Sequence, residues 1–126
     1  IYWTVSVERV FKFYLKLYKT TFKSVDADAF EKVLSNNDIV CLDVRTADEY
    51  AEQHIANALN IDVQKPDFVQ NALNTLPLNK TIAVYCRSGK RSKKACSFLK
   101  QNHFDKIIEL NTGILGWLEA DKPVVR

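Results

Sequence analysis

Two apolar runs constrain this chain more than any other feature: "IVCLDV" at 39–44 and "KTIAVYC" at 80–86. Both are continuous rather than alternating. A strand half-buried in a sheet alternates apolar and polar residues, whereas one covered on both faces does not. Continuous strands of this kind belong to parallel sheets, which need helices on both faces.

The intervening segments supply those helices. "TFKSV" reads as a short first strand, and Asp26 then caps a helix through Phe30, Val33 and Leu34. "TADEYAEQ" reads as a short helix, "NALNID" as a strand and "PDFVQNALNTL" as a helix started by Pro66. "SKKACSFLKQN" places Ala95, Phe98 and Leu99 on one helical face. "KIIEL" is a strand, "GILGWLEA" is a last helix, and Pro123 follows it. Strands separated by helices predict a three-layer α/β domain with a mostly parallel central sheet of about five strands.

The chain has 126 residues, enough for one compact domain with a buried core, here residues 21–126. A formal charge of +3 is too small to argue for nucleic acid, but it fits a protein that handles small anions. Cys41, Cys86 and Cys96 are odd in number, and none has the spacing of a metal pair. With only His54 and His103 besides, no metal site is expected. Reduced cysteines favour the cytoplasm, while the lack of any methionine implies a missing native start and leaves a periplasmic origin open. No run of about 18 uncharged apolar residues is present to span a membrane.

Residues 1–20 form an aromatic and basic extension. Val7, Val10, Phe11, Tyr14 and Tyr18 follow helical spacing with Ser6 as N-cap, although Phe11, Phe13, Leu15 and Leu17 alternate like a strand. The extension is read as a helix packed on the domain or on a partner chain. A membrane-proximal anchor carrying Arg9, Lys12, Lys16 and Lys19 is the sharper alternative.

Chemistry concentrates in "CRSGKRS", residues 86–92, between a buried strand and a helix. In open parallel sheets, ligands bind beyond the carboxyl ends of the strands, where Cys86 lies. The amides of Arg87, Ser88, Gly89, Lys90 and Arg91 are expected to curl around its sulfur as an anion nest, aided by the helix N-terminus. Gly89 permits a backbone angle that other residues resist. Three cations nearby favour thiolate, so Cys86 is expected to be a nucleophile rather than a small core residue closing a strand.

Four stretches resemble the single-domain rhodaneses, a sulfurtransferase family: "SVDADAFEKVL", "CLDVRTADEYAEQHIANALNI", "AVYCRSGKRSKKA" and "LNTGILGWLEADKPV". They occur in family order and cover most of the chain from Phe22 to Val125. The resemblance implies a rhodanese-like domain in which Cys86 takes the outer sulfur of thiosulfate or a similar small anionic donor. The resulting persulfide passes that sulfur to cyanide or a thiol, including a thioredoxin-like protein. No metal or organic cofactor is implied. Arg87, Lys90 and Arg91 would attract the donor, with Arg91 expected to reach it.

Two rivals follow from the same loop. Cysteine phosphatases and arsenate reductases use a similar cradle with five residues between cysteine and arginine. Here the sixth position after Cys86 is Ser92, and the arginine stands one place earlier, at Arg91. That shorter loop suits a sulfur atom better than a phosphoryl group. A non-enzymatic persulfide carrier or interaction module is the other reading.

Asp43 and Arg45 are read as an ion pair and helix cap near the site rather than as catalysts, with Glu49 joining them, in particular Arg45. His54 is read as structural, because taking sulfur from thiosulfate requires no base. His103 is read as an exposed, capping residue near a helix end. Cys41 is read as core, and Cys96 as core or as a resolving thiol. Gln53, Asn57, Thr112 and Asp121 stand where the family commonly has glycine, which puts local turn geometry at issue.

Overall fold

In the computed structural model, residues 22–126 are described. The reading of residues 1–20 as a helix therefore lies outside the described residues. Five strands, β1 (Lys23–Val25), β2 (Ile39–Asp43), β3 (Leu59–Asn60), β4 (Thr81–Tyr85) and β5 (Ile107–Leu110), form one sheet in the order β1-β5-β4-β2-β3. Every pairing in it is parallel. Among the described residues the helices are α1 (Ala27–Leu34), α2 (Ala47–Glu52), α3 (Phe68–Thr75), α4 (Lys90–Gln101) and α5 (Gly113–Glu119).

The two faces of the sheet take alternate residues of the apolar runs. Leu42, Val44, Ile82, Val84 and Cys86 face Phe68 and Ala72 of α3 and Ala95, Cys96 and Leu99 of α4. Cys41, Ala83 and Tyr85 face Phe30 of α1 and Ile114 and Trp117 of α5. Phe30 meets both Tyr85 and Trp117 edge-on, at centroid distances of 6.4 and 6.3 Å. Sheet strands covered on both sides explain why the runs lacked alternation.

Local signals account for most boundaries. Asp26 caps α1 by accepting from the Ala29 amide at 2.9 Å. Thr46 and Glu49 form a reciprocal capping box at the start of α2. Two boundaries differ from expectation: the strand read over "NALNID" is confined to Leu59–Asn60, and α3 starts at Phe68, not at Pro66. The Asp62 side chain accepts from Gln64 N, and Phe68 N bonds back to Lys65 O, so a turn occupies the residues around the proline.

Two of the four absent glycines are replaced by residues in the left-handed region, Asn57 at φ 67° and Asp121 at φ 58°. Asn and Asp tolerate that conformation best among side-chain-bearing residues. Thr112 has φ −97° and Gln53 is extended at φ −168°, so neither position needs a glycine backbone.

Candidate active site

From β2 the chain moves outward to β3 at one edge, and from β4 it moves toward β5 on the opposite side. The carboxyl ends of neighbouring β2 and β4 therefore bound a topological switch point, the place where open parallel sheets hold ligands. Cys86 directly follows β4 there, across from Asp43, which ends β2, and Arg45 just beyond it.

The Cys86 residue is 1% exposed. Its Sγ accepts a hydrogen bond from the Gly89 amide at 3.1 Å and lies 3.4 Å from Ser92 Oγ. The expected inward turn of the loop is thus present at Gly89. Gly89 has φ 102°, and a Cβ there would sit 2.2 Å from Asn111 O. Both the angle and the close approach exclude ordinary side chains. Behind the loop α4 runs for 12 residues, and the positive end of its dipole faces the sulfur. Arg87, Ser88 and Lys90 are exposed at the rim, while Gly89 is buried.

Arg91 does not project freely. Its guanidinium makes a two-pronged contact with Glu49, Nη1 to Oε1 at 2.7 Å and Nη2 to Oε2 at 2.9 Å. This corrects the expected Glu49–Arg45 pairing. Arg45 is taken by its near neighbour Asp43, and the capping box folds the Glu49 carboxylate toward the head of α2. The Arg91 hydrogen bond is the main force that holds the Glu49 carboxyl at about 2. Burial opposes it, and the Thr46 amide and hydroxyl add to it. Arg91 is raised in turn, first by Glu49 against burial, with a further contribution from Cys86. A fixed positive charge is thereby held close to the sulfur.

A Glu49→Gln variant is expected to lose about 1–2 kcal/mol near neutral pH, between the values of exposed and buried pairs. Because the carboxyl falls from its ordinary 4.5 to about 2, the charge contribution is complete above 4.5. It disappears as pH drops from 4.5 toward 2. Urea unfolding at several pH values checks this. A deficit that persists unchanged in acid would assign the loss to shape rather than charge.

Asp43 and Arg45 do form the expected ion pair, both almost fully buried, with Arg45 Nη2 at 2.7 Å from Asp43 Oδ2. The same Nη2 donates to Gln53 O at 2.7 Å, and the guanidinium lies 5.7 Å from the Tyr85 ring centroid. His54 stacks on Tyr50 at 3.7 Å, with its Nδ1 2.8 Å from Tyr50 O. Its backbone bridges to Val125. These contacts match a structural part. His103 is exposed, in the left-handed conformation after α4. Cys41 and Cys96 are buried, and burial is the chief cause that pushes both thiols up. Such thiols pack as small apolar groups.

A polar cluster joined to Ser92 escaped the sequence reading. Ser92 donates to Glu109 Oε2, Ser24 donates to Glu109 Oε1, and the Glu109 carboxylate is 0% exposed. The available signal was a lone charge inside the apolar strand "KIIEL". A buried carboxylate must have partners. Ser92 also occupies the position where the phosphatase cradle has its arginine, and its Oγ lies 3.4 Å from the sulfur.

A family model described as rhodanese-like domain matches residues 26–120. The chain belongs to that family. A sulfurtransferase of Allochromatium vinosum is 28% identical over 102 residues, covering 80% of this chain and 92% of its own. The putative sulfur carrier protein YrkF of Bacillus subtilis is 33% identical, but the match covers only 49% of it against 74% of this chain. Other curated relatives are likewise matched over less than two thirds of their length, tRNA uridine(34) hydroxylases among them. A solved rhodanese-related protein from Thermoplasma volcanium superposes with a TM-score of 0.71 at 31% identity, covering 82% of this chain and 98% of that one.

Proposed function

We propose that this rhodanese-like domain moves a sulfane sulfur from thiosulfate, or a similar small anionic donor, to a thiophilic acceptor through a persulfide on Cys86. The observation that carries the reading is the Gly89 amide, 3.1 Å from Cys86 Sγ at the head of α4. The Cys86 thiolate attacks the outer sulfur of the donor. The sulfur–sulfur bond breaks, and sulfite leaves with the electron pair. The new terminal sulfur carries one negative charge, and loop amides and the helix dipole stabilise an anion at that place. An acceptor, cyanide or a thiol, then attacks that terminal sulfur and returns the thiolate.

Arg87 and Lys90, exposed at the rim, attract the anionic donor, and Ser88 lines the entry with them. Arg91 keeps its charge near the sulfur while bound to Glu49. Asp43 and Arg45 brace the neighbouring strand end. With Cys86 only 1% exposed, a donor that presents a single terminal atom end-on suits the site better than a bulky ester.

The same narrow access supports a second reading, a persulfide carrier that releases sulfur only to a docked partner such as a thioredoxin-like protein. The likeness to a putative sulfur carrier supports it too. Intact-mass spectrometry after incubation with thiosulfate tests both. A gain of one sulfur atom, absent in Cys86→Ser, is expected. Saturating turnover with cyanide then marks the enzyme, and loading with negligible turnover marks the carrier. No mass gain on the wild-type chain removes both readings.

A further inference from the structure

Glu109 is a fully buried carboxylate with no part in the reaction as written above. In the sheet register it stands across from Ser24 on β1 and Val84 on β4. Ser24 donates to Oε1, and Ser92 of α4 donates to Oε2. Lys93 of α4 lies 3.5 Å from Oε2, but its side chain is 54% exposed and it also reaches Gly89 O at 3.2 Å. The Cys96 thiol is a further titratable group in electrostatic reach, and burial is the first cause that keeps it protonated. Cys86 faces the carboxylate through Ser92, whose Oγ is 3.4 Å from Sγ.

The Ser92 hydroxyl owns one proton. While that proton is donated to Glu109, Ser92 can offer the sulfur only lone pairs. This matches a Cys86 thiol that donates to Ser92. A thiolate or persulfide needs the reverse: a Ser92 proton pointed at sulfur. In that state an ionised Glu109 would also be a second buried anion close behind the first, and like charges so placed resist ionising together.

We infer that Glu109, acting through Ser92, receives the Cys86 proton when the thiol ionises. The inference rests on the sulfur-transfer reading, which requires a thiolate. The S–H bond of Cys86 breaks and its proton passes to Ser92 Oγ. The original Ser92 proton passes to Glu109 Oε2, where a new O–H bond forms. The net result is thiolate plus neutral carboxylic acid, with total charge unchanged. No water has to reach a cysteine that is 1% exposed. Ser92, now hydrogen-bonded by Glu109, donates to the sulfur through both the thiolate and persulfide stages. Glu109 keeps its proton until the thiol reforms, so it is a positioning residue that touches neither donor nor acceptor.

The test is an NMR pH titration of the full chain with isotope-labelled cysteine Cβ and glutamate Cδ, using Cys86→Ser and Glu109→Gln to assign the signals. Groups that share a proton titrate as a pair, with common apparent midpoints. Cys86 and Glu109 are expected to show the same two inflections in the wild type. In Ser92→Ala each should show one inflection, at separate pH values, and Ser92→Thr should restore the paired pattern. A single Cys86 inflection in the wild type overturns the inference, and so does a paired pattern that survives Ser92→Ala. Should Glu109→Gln fail to fold, the two Ser92 variants decide the matter alone. Sulfur loading measured on the same samples reports separately on the sulfur-transfer reading.

Discussion

Gly113→Ala is expected to destabilise the domain by about 2–4 kcal/mol and to cut sulfur loading by about tenfold or more. The reason lies in where α5 begins. Gly113 has φ 63°, in the left-handed region, where alanine costs about 1 kcal/mol or more. A Cβ there would also lie 2.2 Å from Arg87 O, 2.4 Å from Arg87 C and 2.7 Å from Cys86 O. All three atoms are backbone, so no side chain can swing aside. The next two residues bind the same carbonyls, Ile114 N to Cys86 O at 2.9 Å and Leu115 N to Arg87 O at 3.2 Å. The first turn of α5 is thus a clamp on the loop that carries the nucleophile. Alanine must push that loop away, and the amide at Gly89 moves with it. Urea unfolding should show the midpoint lowered by about 1–2 M. A variant within about 0.5 kcal/mol of wild type, with full loading, would show that the clamp is not needed.

That clamp illustrates what one sequence can and cannot reveal. "KTIAVYC" followed by "RSGKRS" exposed the strand, the nucleophile and the turn glycine, because each rests on neighbours in the chain. The order of elements was legible for the same reason: caps such as Asp26 and Thr46 act over three residues. Partners distant in sequence were not legible. Arg91 binds Glu49 across 42 positions, and nothing local says that Glu49 will prefer it to Arg45. Likewise, the glutamate inside "KIIEL" was a signal of a buried charge that the strand reading passed over. Only the register that sets Ser24 beside it, and the helix that sets Ser92 above it, supplies the partners. The helix α3 start failed for a different reason. Pro66 is acceptable at a helix start, but a side-chain turn at Asp62 claims the residues first.

The second large effect is expected at Arg45. An Arg45→Ala change should cost about 3–5 kcal/mol, the range for removing one member of a buried ion pair. Asp43 is 0% exposed and takes Arg45 Nε at 3.1 Å as well as Nη2 at 2.7 Å. Without the guanidinium, its carboxylate keeps the Arg45 backbone amide at 2.9 Å but loses its counter-charge. Burial works against the arginine's charge, and Asp43, helped by Tyr85 and Glu49, more than offsets it. Alanine also frees Gln53 O, to which Nη2 donates, and uncovers the Tyr85 ring. The link from the end of β2 to the segment before β3, through Gln53 O, is then lost, and the cover over Tyr85 of β4 goes with it. The double variant Asp43→Leu with Arg45→Met separates charge from packing. Removing both charges should recover much of the loss, because well-packed apolar replacements of buried pairs are often neutral. A double variant as unstable as Arg45→Ala would instead place the cost in the Gln53 and Tyr85 contacts. Sulfur loading in that double variant, if retained, would confine Asp43 and Arg45 to holding the strand end beside Cys86.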